Sequence, residues 1–115
     1  MASLVVLIRS APYGNLEAAE GVRHLTGRQA LGFEETVGLF CDDGVWTLAA
    51  EQQPAAGFTS LAVPLKTLAG EGVPLLAERS SLAERDLQAS DLVDGVQVLD
   101  SVEHLLSEAD VVLIF

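Results

Sequence analysis

The sequence predicts an α/β protein built on a five-stranded, mostly parallel sheet with helices on both faces. Three observations predict it. Short apolar runs at residues 4–8, 36–41, 73–77, 96–99 and 111–115 read as strands, rich in Val, Leu and Ile. Segments with helical spacing or turn chemistry alternate with them, as in parallel strands joined by crossovers. The runs end in turn-forming or charged residues, where the carboxyl end of a strand meets solvent.

Residues 4–8 are continuously apolar and largely β-branched, so the first strand is central and buried on both faces. Pro12 cannot continue a ladder, Gly14 permits a tight turn and Asn15 can cap the next helix. Ala18, Val22 and Leu25 then recur at helical spacing, with Glu17, Glu20, Arg23 and Arg28 on the other faces, until Gly32 stops the helix. The second strand, 36–41, ends at the only cysteine, Cys41. Asp42 or Asp43 is expected to cap a short helix through Val45, Trp46, Leu48 and Ala49.

A polar loop at 51–57 contains Pro54 and Gly57. The apolar residues between Phe58 and Leu68 predict a helix that starts late or is broken at Pro64. Residues 73–77 give the third strand, with Pro74 near its start. Ser80 or Ser81 opens a short helical or turn segment over 82–87. After the fourth strand, Asp100 or Ser101 is expected to cap a helix through Val102, Leu105 and Leu106. Asp110 leads into the fifth strand.

At 115 residues the chain predicts one domain, spanning 1–115, with enough length for a core that needs no disulfide or metal. Half its residues are hydrophobic, and the mean hydropathy is +0.37. Strands buried on both faces, or surface buried in an oligomer, would account for that surplus. No apolar run approaches the ~20 residues of a membrane span, and the amino terminus lacks the pattern of a signal peptide. A formal charge of −11, with six scattered Lys and Arg against seventeen acids, opposes direct binding to nucleic acid or to an anionic membrane. It is compatible with a basic or mixed-charge protein partner. One cysteine forms no internal disulfide, which fits a reducing cytoplasm.

In a parallel sheet the loops after the first three strands lie along one edge: Tyr13-Gly14, Asp42-Asp43-Gly44, and Glu78-Arg79 with the two serines after them. This rim is where a ligand or partner is expected. Cys41 is the only sulfur nucleophile, and a helix amino terminus after Asp43 would favour its thiolate. The neighbouring Asp42 and Asp43 oppose it, and a free cysteine at a strand end is commonly a small buried hydrophobe. Asp42 and Asp43 lack other acids or histidines at ligand spacing, so capping and solvation explain them better than a metal or an acid/base pair. Glycines 14, 44 and 57 build no phosphate loop. His24 and His104 stand alone on predicted helices, and neither Ser80 nor Ser81 lies in a GxSxG setting. No cofactor is implied. Tyr13 and Trp46 fit interface anchors at the rim, and Trp46 fits a core residue equally well.

The order of motifs resembles the DsrE/DsrF-like sulfur-relay family, nearest its DsrF/TusC branch. The resemblance lies in the opening strand followed by Ser10-Ala11-Pro12-Tyr13-Gly14, and in Glu20-Gly21-Val22 on the first helix. It continues in Val37-Gly38-Leu39-Phe40-Cys41-Asp42-Asp43-Gly44-Val45, in Ser81-Leu82-Ala83-Glu84-Arg85-Asp86-Leu87, and in the closing strand after Asp110. It implies a flavodoxin-like three-layer fold and a cytoplasmic role in passing persulfide sulfur between proteins, for tRNA thiolation or sulfur oxidation. In the family a DsrE-type subunit carries the working cysteine just after the third strand, and assembles with DsrF-type and DsrH-type relatives. That cysteine position falls here near Glu78, and residues 77–80 contain no cysteine. Asp86 stands where the family usually has glycine, and residues 52–64 depart from its pattern. The resemblance therefore implies a non-catalytic subunit with DsrE-like and DsrH-like partners or copies of itself. Two other readings remain, a homo-oligomeric sulfur carrier using Cys41 and a small-molecule binding module at the rim.

Overall fold

The computed structural model describes residues 3–54 and 56–115; one residue of the expected polar loop, Ala55, lies outside them. The five expected strands form one sheet: β1 (Ser3–Ile8), β2 (Glu35–Phe40), β3 (Leu75–Glu78), β4 (Gln97–Leu99) and β5 (Val111–Ile114). They lie in the order β4-β3-β2-β1-β5, and every pair is parallel rather than mostly so. The helices are α1 (Glu17–Thr26), α2 (Arg28–Leu31), α3 (Ala62–Gly70), α4 (Arg79–Glu84) and α5 (Glu103–Glu108), and Asp42–Leu48 forms a 3₁₀ segment. The fold is flavodoxin-like, with helices on both faces of the sheet.

Topology explains how the helices are shared out. From β1 to β4 the chain steps in one direction across the sheet, and right-handed crossovers in one direction put their helices on one face. The step from β4 back to β5 reverses, which sends α5 to the other face. The core divides accordingly. One cluster joins Leu4, Val6, Ile8 and Phe40 of the strands to Ala18, Val22 and Leu25 of α1, Ala62, Leu65 and Leu68 of α3, and Leu82 of α4. The other holds Val5, Leu7, Leu39, Cys41 and Leu76, covered by Leu105 and Leu106 of α5, which has no fully buried residue of its own. β1 is buried on both faces, as its uninterrupted apolar run predicts.

Several local expectations need correcting. The first helix does not run on to Gly32. It ends at Thr26, whose hydroxyl bonds back to the Val22 carbonyl, and a short α2 follows Gly27. The Asn15 carboxamide does receive the Glu17 N–H, at 2.9 Å. Neither Asp42 nor Asp43 caps an α-helix: the segment is 3₁₀, Cys41 occupies the N-cap position, and both carboxylates turn to arginines instead. The late-start reading of the third helix holds, since α3 begins at Ala62 and puts Pro64 in the first turn, where a missing N–H costs nothing.

β3 begins only after Pro74, whose carbonyl accepts from Gly38 N–H. The helix expected at 82–87 lies earlier, starting directly from β3 at Arg79 and stopping in a left-handed turn at Asp86. Val102, and neither Asp100 nor Ser101, takes the N-cap of α5, and Asp100 pairs with Arg79. Among the described residues no helix is long and apolar enough to cross a membrane.

Candidate functional site

The carboxyl ends of β1, β2 and β3 are adjacent, and the loops leaving them are knitted together. The Cys41 N–H donates to the Ile8 carbonyl at 3.1 Å, so the chain leaving β2 turns against the end of β1. Gly44 then packs on the same carbonyl so closely that a Cβ there would sit 1.9 Å from the Ile8 oxygen. Only glycine allows that approach. Asp42 adopts a left-handed conformation at φ 52, which aspartate tolerates better than most residues. Its carboxylate meets Arg9 at 2.8 Å and its N–H donates to Ser81 Oγ at 2.8 Å.

Ser81 is the hub of the cluster. It is buried, accepts from Asp42 and donates its own proton to Glu78 Oε1, so the ends of β2 and β3 are joined through one hydroxyl. Arg85, the residue that ends α4, reaches back to Asp43 at 3.0 Å and also donates to the Ser81 carbonyl. Arg79 pairs with Asp100 across the gap between the ends of β3 and β4. That gap is where α4 and α5 leave to opposite faces, the place where open α/β sheets tend to bind ligands. The exposed pair spans it.

Cys41 faces the α5 side of the sheet and is 7 % exposed. Burial first, then the charges of Glu78 and Asp42, push its thiol from the ordinary 9.0 up to about 12, while Arg9 acts in the opposite direction. At neutral pH the group is a thiol and not a thiolate. No helix dipole of useful length offsets this, since the following segment is 3₁₀.

The aromatic part of the rim has a hydrogen-bonded set of its own. The Tyr13 hydroxyl donates to Gln52 Oε1 and accepts from Leu61 N–H, and Gln52 Nε2 donates to the carbonyls of Thr47 and Ala49. The Tyr13 ring meets Phe58 edge-on at 6.3 Å. Trp46 is 40 % exposed, so it is not a core residue. Tyr13 and Trp46 wall an open depression of ≈ 390 Å³ with Ala11, Pro12, Ala49, Glu51, Gln52 and Gln53. Gly14 stands in the open, at φ 99, with nothing within 4 Å of where a Cβ would lie.

The rim residues Asp42, Asp43, Gly44 and Glu78 thus come together; Tyr13 and Trp46 form a second centre, and Arg79 a third. Arg9, Ser81, Arg85 and Gln52 carry most of the linking bonds and were not anticipated in those roles. Arg9 at a strand exit, and Ser81 and Arg85 within one motif, were the signals for three of them. Gln52 had none. His24 bonds to the Glu20 carbonyl and packs on Phe115, while His104 is exposed beside Glu108. Among the described residues, no three His, Cys, Asp or Glu are grouped as a metal site.

These features define a small flavodoxin-like α/β protein whose strand-end rim is built from locked ion pairs and an aromatic depression, with its only thiol under a helix. The sequence pattern of the DsrE/DsrF-like family matches residues 2–115, and the chain belongs to that family. It is 35% identical over 121 residues, covering 100% of both chains, to a protein TusC homolog of Vibrio parahaemolyticus. Among solved structures it is similar to the YchN protein of E. coli, with a TM-score of 0.85 and 24% identity over 100% of both chains. A protein of unknown function from Methanobacterium thermoautotrophicum, MTH1491, shares the fold at a TM-score of 0.66 and 19% identity, over 93% of this chain and 90% of that one.

Proposed function

We propose that the protein is a non-catalytic, TusC/DsrF-like subunit of a cytoplasmic sulfur-relay oligomer, holding partner subunits rather than carrying persulfide. The observation that carries this reading is the end of β3. There Glu78 occupies the region where the resemblance puts the family's working cysteine, and its carboxylate is engaged by Ser81. A carboxylate cannot hold a persulfide. The remaining thiol, Cys41, is buried and protonated at neutral pH, which favours a packing role for it over nucleophilic transfer. The 35% identity to a TusC homolog supports the same branch. In this reading Tyr13, Gly14, Asp42, Asp43, Gly44, Trp46, Glu78 and Arg79 form the rim that packs against DsrE-like and DsrH-like partners, or against copies of the chain.

The test is native mass spectrometry of the chain alone and mixed with DsrE-like and DsrH-like proteins. Stable mixed oligomers are expected. A monomer indifferent to both partners overturns the reading. The rival carrier using Cys41 predicts a sulfur-mass adduct after incubation with a persulfide donor, absent in Cys41→Ser. The depression walled by Tyr13 and Trp46 would suit a small molecule in size. Its Gln52 and Tyr13 polar groups, however, are bonded within the protein, leaving few to orient such a ligand.

A further inference from the structure

Trp46 is a ridge between two hollows. On one side lies the depression with Pro12 and Tyr13; on the other lies a hollow of ≈ 520 Å³ lined by Arg85, Asp86, Leu87, Ser90 and Asp91. The two share Trp46, Ala49 and Glu51, so they adjoin as one groove crossed by the Trp46 ridge. Its floor is fixed: Ala49 and Leu92 form an antiparallel bridge, Ala50 N–H donates to the Asp91 carbonyl, and Val93 N–H donates to the Leu48 carbonyl.

The groove has chemical polarity. One end is apolar and aromatic, and the other carries Asp86 and Asp91, with Glu51 between them. Among the described residues its only cation, Arg85, is already held by Asp43 and Glu84. Three exposed carboxylates therefore lie beside an exposed tryptophan, one of them, Asp91, also accepting the Gln88 N–H at 2.8 Å. Together they suit an occupant that combines apolar side chains with positive charge.

A second copy of this chain does not supply that charge. All five of its arginines are engaged in ion pairs with its own carboxylates, and its one lysine, Lys66, lines a different hollow beside Asp94. Two copies at −11 each also repel. We propose that this groove docks a basic segment of a different protein, seating an apolar side chain between Tyr13 and Trp46 while lysines or arginines face Glu51, Asp86 and Asp91. The inference rests on the subunit reading only in taking a protein as the occupant, and it makes this part of the rim a heterotypic contact.

Trp46 is the only tryptophan, so its fluorescence reports on the groove directly. The probes are three acetylated hexapeptide amides, RKLLRK, EELLEE and RKSSRK, titrated into the full chain without partner subunits. RKLLRK is expected to shift Trp46 emission saturably, EELLEE to leave it unchanged, and RKSSRK to bind more weakly than RKLLRK. Replacing Glu51→Gln and Asp86→Asn together should weaken RKLLRK about fivefold, the sum expected of two exposed ion pairs, and flatten its salt dependence. Equal responses to RKLLRK and EELLEE, an unaltered affinity in the double variant, or no response at millimolar RKLLRK would overturn the proposal. So would a concentration-dependent Trp46 shift accompanying dimerisation of the chain alone, because a second copy would then be the occupant. Because no partner subunit is used, failure here leaves the mixed-oligomer test standing, and failure of that test leaves this one standing.

Discussion

Replacing Gly44 by alanine sets two physical effects against each other. The backbone at Gly44 is not in the left-handed region, so its local conformation is one that alanine adopts without strain. Lower entropy of the unfolded chain alone would then favour alanine by about 0.4–1 kcal/mol. The tertiary contact says the opposite. The added Cβ would lie 1.9 Å from the Ile8 oxygen, 2.6 Å from its carbonyl carbon and 3.1 Å from Arg9 N, all of them backbone atoms. Ile8 cannot retreat, because β1 is paired on both sides and completely buried there. The 3₁₀ segment must lift instead, stretching the Cys41–Ile8 and Asp42–Ser81 hydrogen bonds and loosening Val45 and Leu48 in the core.

Overpacking of about 1–3 kcal/mol and two hydrogen bonds near 1 kcal/mol each put the net loss at about 3 kcal/mol after the entropy gain. That is a large share of the ~5–15 kcal/mol stability of a domain. Urea denaturation followed by far-UV circular dichroism measures it. Gly70→Ala is the control: Gly70 lies in α3 with nothing within 4 Å of its missing Cβ, so alanine there should be neutral or stabilising by up to ~1 kcal/mol. A Gly44→Ala protein within 1 kcal/mol of the parent (roughly the size of the entropy effect) would refute the contact argument.

Asp86→Gly should raise the urea midpoint, by about 0.5–1 kcal/mol of stability, because the residue holds φ 54 at the end of α4, where glycine carries no side-chain strain. Thr47→Val should stabilise by about 1 kcal/mol, since the buried Thr47 hydroxyl has no partner among the described residues; a loss in the same melts would mean that the hydroxyl is bonded to ordered water. Cys41 should react far more slowly with a thiol reagent at pH 8 in the folded protein than in urea, its thiolate fraction being on the order of a thousandfold lower. The unfolded thiol releases its proton near 9.0 and the folded one near 12, so between them the unfolded state binds fewer protons and stability falls as pH rises. Cys41→Ala should remove that alkaline loss in melts run across the interval.

β1 was legible because burial on both faces leaves an unbroken apolar run, a signal that needs no knowledge of neighbours. The edge strands β4 and β5 hold no fully buried residue and were read from their Val, Leu and Ile content. The 3₁₀ segment was not legible. Val45, Trp46, Leu48 and Ala49 are spaced as on a helix, while the segment is seated through Gly44 against Ile8, thirty-six positions earlier in the chain, a contact that local spacing does not reveal. α4 offers a single deep apolar anchor, Leu82, too little for periodicity to find its start. Its end was readable only through the family resemblance: a usual glycine at position 86 marks a left-handed turn, and Asp86 adopts it. At the rim, the sequence pointed to Asp42 and Asp43 but not to their partners, because Arg9 and Arg85 lie 33 and 42 residues away. Pairings of that range are set by strand order, and order depends on crossovers that local patterns do not encode.

The position of the thiol follows from the same geometry. Side chains alternate across a strand, so Val37, Leu39 and Cys41 share one face while Phe40 takes the other. The sheet's single change of direction puts α5 alone over the first of these faces. Cys41 is therefore committed to the lining beneath α5 by its place in β2, whatever stands beside it in sequence. Its neighbour Asp42, one residue on, leaves the strand and turns to the rim, where it meets Arg9 and Ser81. One position separates the core from the cluster of charges. A cysteine at the strand-end position of Glu78 would share the face of Leu76, lie next to Cys41 in the β2–β3 register and sit half-buried beside Ser81 at the rim, so the difference between a packed thiol and a more accessible one in this fold turns on the strand rather than on the local sequence.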